Sequence, residues 1–217
     1  MTDIVLSATR LSWAAPVQHG SRWDKSAVMV KAREKILLRD NHTCQGCGFQ
    51  ASDFQEIHHR NGDHSNFKES NLETLCPLCH QLFHPDLASI SSGASMIWLP
   101  EITQVELNRL LFAVFASTKK GASHPLYNVA KAIWGLLEMR RVYLDNQLGK
   151  SDPGIYGQML LQMSKEEYAN RSETMRAIKM LANPIRFEVE VDYWSAVLEK
   201  QKSLEQIQRE LEVLQNA

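Results

Sequence analysis

Two cysteine pairs, Cys44/Cys47 and Cys76/Cys79, each spaced C-x-x-C, hold every cysteine of the 217-residue chain. No other feature restricts its folds as much. A C-x-x-C tetrapeptide can close into a knuckle, a tight turn that aims two thiolates at one point, and two knuckles complete a tetrahedral site for zinc. The first pair stands in CQGCG, with glycine available where such a turn needs positive φ. His80 and His84 offer a competing H-x₃-H pair. A Cys₂His₂ finger, however, separates its two pairs by about twelve residues, whereas 32 residues lie between Cys47 and His80. That reading would also strand Cys76 and Cys79. The spacing therefore predicts one structural Zn²⁺ on Cys44, Cys47, Cys76 and Cys79.

The thiols also bear on where the chain resides. The opening MTDIVLSATRLSW places Asp3 ahead of a short apolar run and has no basic stretch before it, so no secretory leader is expected. No run of eighteen apolar residues occurs, and no membrane-spanning helix is expected. In the reducing cytoplasm, cysteines stay free or bind metal, which disfavours disulfides.

Charge sets a limit on nucleic-acid binding. The chain holds 24 Lys and Arg against 25 Asp and Glu, and eight basic residues face nine acidic ones between Arg22 and Asp86. Phosphate neutralisation supplies most non-specific affinity for DNA. The isolated chain should therefore bind DNA weakly and with strong salt dependence. Lys31, Lys35, Arg39, Arg60 and Lys68 are the residues able to make a local basic stripe.

Three parts are expected: an N-terminal segment 1–22, a metal module 23–86, and a mainly helical domain 96–217. The first should hold a short strand at Asp3–Ser7 and a loop with Pro16 and Gly20. Residues 23–40 read as an amphipathic helix with Val28, Ile36 and Leu37 inward. Pro85 should end the module's last helix, leaving DLASISSGAS as a linker. Thr103 with Glu106, and Ser164 with Glu167, form capping boxes that open helices. Leu126, Val129, Ile133, Leu136, Leu137 and Leu144 recur at helical spacing across 125–148. A helix should run from Ser164 to about Asn183, where Asn-Pro ends it. IRFEVEVDYW alternates as a strand would, with Phe187, Val189 and Val191 on one face. A charged helix follows, from about Trp194 to Gln215. In it Val197, Leu204 and Leu211 repeat every seven residues, and Ile207 with Leu214 make a second row. That face would pack on its own domain or dock another chain.

The segment EIHHRNGDHSNFKESNLETLCPLCHQLFH resembles the HNH endonuclease (ββα-metal) superfamily, through the doublet His58-His59, Asn71, and His80 with His84. The resemblance implies a β-hairpin carrying the doublet and a short helix carrying the later histidines, hence an α+β fold with an HNH-like module. By the same resemblance His59 would be the general base. His58 and His80, with His84, would hold a divalent ion such as Mg²⁺ or Mn²⁺ as Lewis acid at the phosphate. Asn71 would brace the hairpin loop and orient His59. His42, His64 and His124 are expected to be ordinary solvated or turn-capping side chains.

A second resemblance covers most of the chain. DIVLS, RDNHTCQGCGFQ, SMIWLPEITQVELNRL, PGIYGQMLLQM and PIRFEVEVDYW are similar, in this order, to the IcmJ/DotN family of type IVB secretion and conjugation systems. It implies a zinc-bound, HNH-like subunit of the coupling complex, held at the cytoplasmic face of the inner membrane through partner proteins. In such a subunit the fold can serve as scaffold rather than enzyme. The complete histidine set of this sequence keeps the alternative open, a divalent-metal-dependent DNA endonuclease.

Overall fold

The computed structural model describes residues 4–8 and 27–214. The expected loop with Pro16 and Gly20, and the start of the first helix, lie outside the described residues. Helix α1 (Ala27–Arg39) buries Met29, Ile36 and Leu37. Val28, expected inward, is exposed, and Met29 takes its place. Positions 29, 36 and 37 lie on one helical stripe, and Val28 is about 100° away from Met29 around the axis. After Arg39 the chain turns through Asn41 and His42, both with positive φ, and enters the first knuckle.

Strands β1 (Glu56–His59) and β2 (Leu72–Leu75) form an antiparallel hairpin, with Glu56 opposite Leu75 and His59 opposite Leu72. Helix α1 packs on this hairpin through a small cluster of Met29, Ile36, Leu37, Ile57 and Leu72. One turn of helix, α2 (Pro77–His80), then a 3₁₀ turn at Gln81–Phe83, carry the second knuckle forward. Pro85 does not end the helical run. It sits in the first turn of α3 (Pro85–Ile90), a position where its missing N–H has no partner to lose. The expected linker is thus a helix followed directly by strand β3 (Ala94–Trp98).

Helix α4 (Gln104–Lys119) opens on the Thr103/Glu106 capping box and is buried almost all round. Helix α5 (Tyr127–Leu148) packs against α4 and β3, ending at Gly149 in the left-handed conformation. Of its expected core residues, Leu126, Ile133, Leu137 and Leu144 are buried, whereas Val129 and Leu136 face outward. Helix α6 (Pro153–Gln162) follows.

The largest departure comes next. Ser164 and Glu167 do make a capping box, but helix α7 (Lys165–Ala169) is short, α8 (Arg171–Thr174) is a single turn, and Ile178–Ala182 is strand β4. It pairs antiparallel with β3, Trp98 opposite Ile178 and Ala94 opposite Ala182. The expected strand at 185–194 is a turn and then helix α9 (Glu188–Gln201). Phe187, Val191, Trp194 and Leu198 are buried and Val189 is exposed, which is the helical period rather than alternation. Lys202 breaks the tail, and Ser203 caps α10 (Leu204–Leu211). Ile207 and Leu211 are buried in the main core while Leu204 is exposed, so this helix spends its apolar face on its own chain.

Residues Ile4–Ala8 pair with no strand among the described residues. Ser7 N–H donates to the Leu82 carbonyl at 3.0 Å, and Ile4, Leu6 and Ala8 are buried. The main core is continuous from the knuckles through α4 to α10. Phe49, just after the first knuckle, stacks on Phe112 of α4 at 4.0 Å, and Trp194 of α9 stands edge-on to both.

Candidate metal centre

The four cysteines are free thiols, all fully buried, and their sulfurs lie within 4.8 Å of one another. Cys47 Sγ is 3.7 Å from Cys76 Sγ. A tetrahedron with metal–sulfur bonds of about 2.3 Å has edges of about 3.8 Å. The donor set and spacing thus fit a metal ion such as zinc.

Local sequence explains the convergence. In the first knuckle, Cys47 N–H points at Cys44 Sγ (3.5 Å), and Gly48, at φ 80°, donates its N–H to the Cys44 carbonyl (2.9 Å). Gly46 allows a different closeness: a Cβ there would fall 1.9 Å from Ile4 Cδ1 and 3.2 Å from Cys79 Sγ. The N-terminal segment therefore lies directly on the knuckle. The second knuckle is the entry to α2: Cys76 is its N-cap, Pro77 its first residue, and the N–H groups of Cys79 and His80 return to the Cys76 carbonyl.

Electrostatics favour capture of a cation. Hydrogen bonds from the thiols of Cys47, Cys76 and Cys79 hold the Cys44 thiol well below its usual range, while burial pushes the Cys76 thiol up. Thiols bind a metal as thiolates, so occupation of the site releases protons. Two α4 residues support the sulfurs. Asn108, buried, donates to Cys79 Sγ (3.2 Å) and to the Leu78 carbonyl (3.3 Å). It accepts from Gln104 Nε2 (3.0 Å), and Gln104 in turn exchanges two hydrogen bonds with the Met180 backbone of β4. Arg109 donates to the Cys47 carbonyl at 2.7 Å. A relay of amides thus joins the second knuckle to the second sheet.

A separate cluster gathers the histidines. One ligand nitrogen from each of His58, His80 and His84 lies within 4.8 Å of the others. The His58 and His80 rings are 5.3 Å apart, and those of His80 and His84 4.9 Å. Phe83 stacks on His58 at 4.0 Å, and Glu56 holds His80 Nδ1 at 2.6 Å. His59 points to the other side of β1, as alternation requires. Its ring lies 5.0 Å from His64, which reaches toward His84 at 5.9 Å. Its Nε2 is buried with no hydrogen-bond partner among the described residues. Burial, with the charges of neighbouring histidines, lowers the pKa of His58 to about 2 and of His59 to about 4, so both are neutral imidazoles near pH 7. Asn71 spans the β1–β2 loop, donating to the Asn66 carbonyl (2.9 Å) and accepting from Asn61 N–H (3.1 Å).

Sequence reasoning set His64 aside and did not single out Glu56, Asn108 or Arg109. His124 only caps a turn, accepting from Leu126 N–H at 3.3 Å. The expected basic stripe is largely neutralised: Lys35 pairs with Glu69, Arg39 with Asp40, and Arg60 with Glu73. Among the described residues no helix is long and apolar enough to cross a membrane.

Fold and site define an α+β protein whose core closes around four cysteines able to hold one metal ion. No family model matches the chain. Over 167 residues, 75% of this chain and 77% of its relative, it is 32% identical to the type 4 apparatus protein DotN of Legionella pneumophila subsp. pneumophila. The chain belongs to the DotN family of type 4 apparatus proteins.

Proposed function

We propose that this protein is a zinc-stabilised subunit of a type IVB secretion or conjugation coupling complex, acting through assembly with other apparatus proteins. The observation that carries this reading is the similarity to DotN over three quarters of the chain. The buried sulfur tetrad supports zinc as the ion, since thiolates at tetrahedral spacing suit it best. The metal supplies a cross-link between two knuckles. The chain's own residues supply the pocket: Asn108 steadies Cys79, Arg109 holds the first knuckle's backbone, and Ile4 covers Gly46. Attachment to the cytoplasmic face of the inner membrane would then come through partners.

Two measurements test this. Elemental analysis of purified protein should give one zinc per chain. Affinity capture of the tagged chain from its native host should bring down other apparatus components. Zinc-free protein with four reactive thiols would remove the first half, and capture without any apparatus protein the second.

The histidine cluster supports a second reading, an HNH-like module able to cut DNA. Here His58, His80 and His84 would hold the ion, and His59, which reaches that cluster through His64, would serve as base. Imidazole donors suit Mn²⁺ or another transition metal better than Mg²⁺, which prefers oxygen. Plasmid nicking by the wild type that disappears in His59→Ala would support it. Absence of nicking with either ion would remove it and leave the subunit reading intact.

A further inference from the structure

Glu56 and His58 are alternate residues of β1 and share one face of the strand. His80 ends α2, and its ring stands 5.3 Å from that of His58 and 4.9 Å from that of His84. The Glu56 carboxylate reaches across from β1 to this ring, with Oε2 2.6 Å from His80 Nδ1. The carboxylate is not itself among the three donors that lie within 4.8 Å of one another. It stands behind His80, on one nitrogen of the ring, and leaves the other for the cluster.

Stability gives this pair little to do. The Glu56 side chain is 48% exposed, and an ion pair in that setting contributes about 0–1 kcal/mol. Its effect on the imidazole is more specific. A neutral imidazole carries one proton, and the hydrogen bond made by one nitrogen decides which nitrogen keeps its lone pair. An ionised carboxylate only accepts. Set against Nδ1, it holds the proton there, leaves the lone pair on Nε2, and fixes the plane of the ring.

We propose that Glu56 is the positioning residue of the histidine cluster. Its carboxylate holds His80 in the Nδ1–H tautomer, so that a divalent transition-metal ion shared with His58 and His84 binds His80 through Nε2. The role rests on the reading that these three histidines hold an ion, and imidazole donors suit a transition metal. A carboxylate on the far nitrogen of a ligating histidine orients the ring and raises the basicity of the ligand atom. One short strand thus delivers a ligand, His58, and the support for a second. Without Glu56, the His80 ring is free to turn over. It is also free to take the Nε2–H form that imidazole favours in water, with the proton where the ion should bind.

Two measurements on the full-length chain test this, with one equivalent of zinc present, which the four thiolates take first. The first is the ring-nitrogen ¹⁵N spectrum of the histidines at about pH 8, with His80 assigned by comparison with His80→Gln. Wild type and Glu56→Gln, whose Oε1 accepts the same hydrogen bond, should show His80 as Nδ1–H, and Glu56→Ala should show Nε2–H. The second is titration with Co²⁺. Glu56→Gln should bind within a few-fold of wild type and Glu56→Ala roughly 10- to 100-fold more weakly, with the melting temperatures of the Co²⁺-free proteins alike. An Nε2–H tautomer in the wild type overturns the proposal. So does Glu56→Ala that binds Co²⁺ as tightly as wild type, or Glu56→Gln that binds as weakly as Glu56→Ala, since the carboxylate would then be a ligand itself. Co²⁺ binding that ignores Glu56 defeats this proposal alone, whereas a wild type that takes up no Co²⁺ defeats the metal-site reading and the proposal with it.

Discussion

Replacing Asn108 by leucine keeps the branching of the side chain but removes every polar contact that α4 makes with the second knuckle. Three hydrogen bonds go: to Cys79 Sγ, to the Leu78 carbonyl, and from Gln104. Leucine leaves no cavity, although its bulkier methyl groups add a packing cost of about 1–3 kcal/mol, which Asn108→Ala as a second variant separates from the polar loss. The Leu78 carbonyl is left buried without its amide donor, at about 1–3 kcal/mol, and the bond to a thiolate contributes about 1.5–3 kcal/mol. Gln104 keeps its two bonds to Met180, which limits the damage on that side. A net loss of about 2–4 kcal/mol is expected, together with roughly 10- to 100-fold weaker metal binding, the usual result of removing a group that supports a ligand. Urea unfolding of the zinc-loaded protein reads the first quantity, and competition with a chromogenic chelator the second. A destabilisation below about 0.5 kcal/mol with unchanged metal affinity would refute the assignment of a supporting role to Asn108.

Three further outcomes are expected. Cys44→Ser, or stripping the metal with a chelator, should loosen α4 and α9 as well as residues 40–85, because the knuckles and those helices share one core; hydrogen exchange by mass spectrometry maps the extent. Burial alone would raise the pKa of Asp40, but hydrogen bonds from the Arg39 guanidinium and Thr74 N–H outweigh it and hold the carboxyl below its ordinary value. Its contribution is therefore present above about pH 4 and lost as pH falls through the lowered folded pKa. Wild type should accordingly lose its advantage over Asp40→Asn across that acid window, as followed by urea melts at stepped pH. Leu211→Asp, which puts a charge into a fully buried site, should cost about 3 kcal/mol or more and lower the thermal midpoint, a result at odds with any role for this residue as a docking surface.

The parts legible in the sequence are those whose physics is local. Two C-x-x-C pairs can be read because each knuckle is made by its own four residues, and the capping boxes at Thr103 and Ser164 because donor and acceptor are three residues apart. Helix α9 reads as a strand because Phe187, Val189 and Val191 alternate over a window too short to separate periods 2 and 3.6; Trp194 and Leu198, just beyond it, decide for the helix. Strand β4 was hidden because Ile178–Ala182 is stabilised by β3, far away in sequence, rather than by its own pattern. Val129 and Leu136 of α5 read as core because hydrophobicity alone does not distinguish a buried position from an exposed one. Asn108 and His64 escaped for the same reason: each acts on partners that only the folded chain brings near.

The pairing of β3 with β4 has a consequence for synthesis. The first knuckle leaves the ribosome early, but the strand that anchors the Gln104–Asn108 relay is made well over a hundred residues later. At about 5–20 residues per second this leaves the young thiols on the order of ten seconds without their full enclosure. During that interval Cys44 and Cys47 are open to oxidants and to the wrong metal. The metal ion available near the translating ribosome, rather than the affinity of the finished site, would then govern how many chains mature correctly.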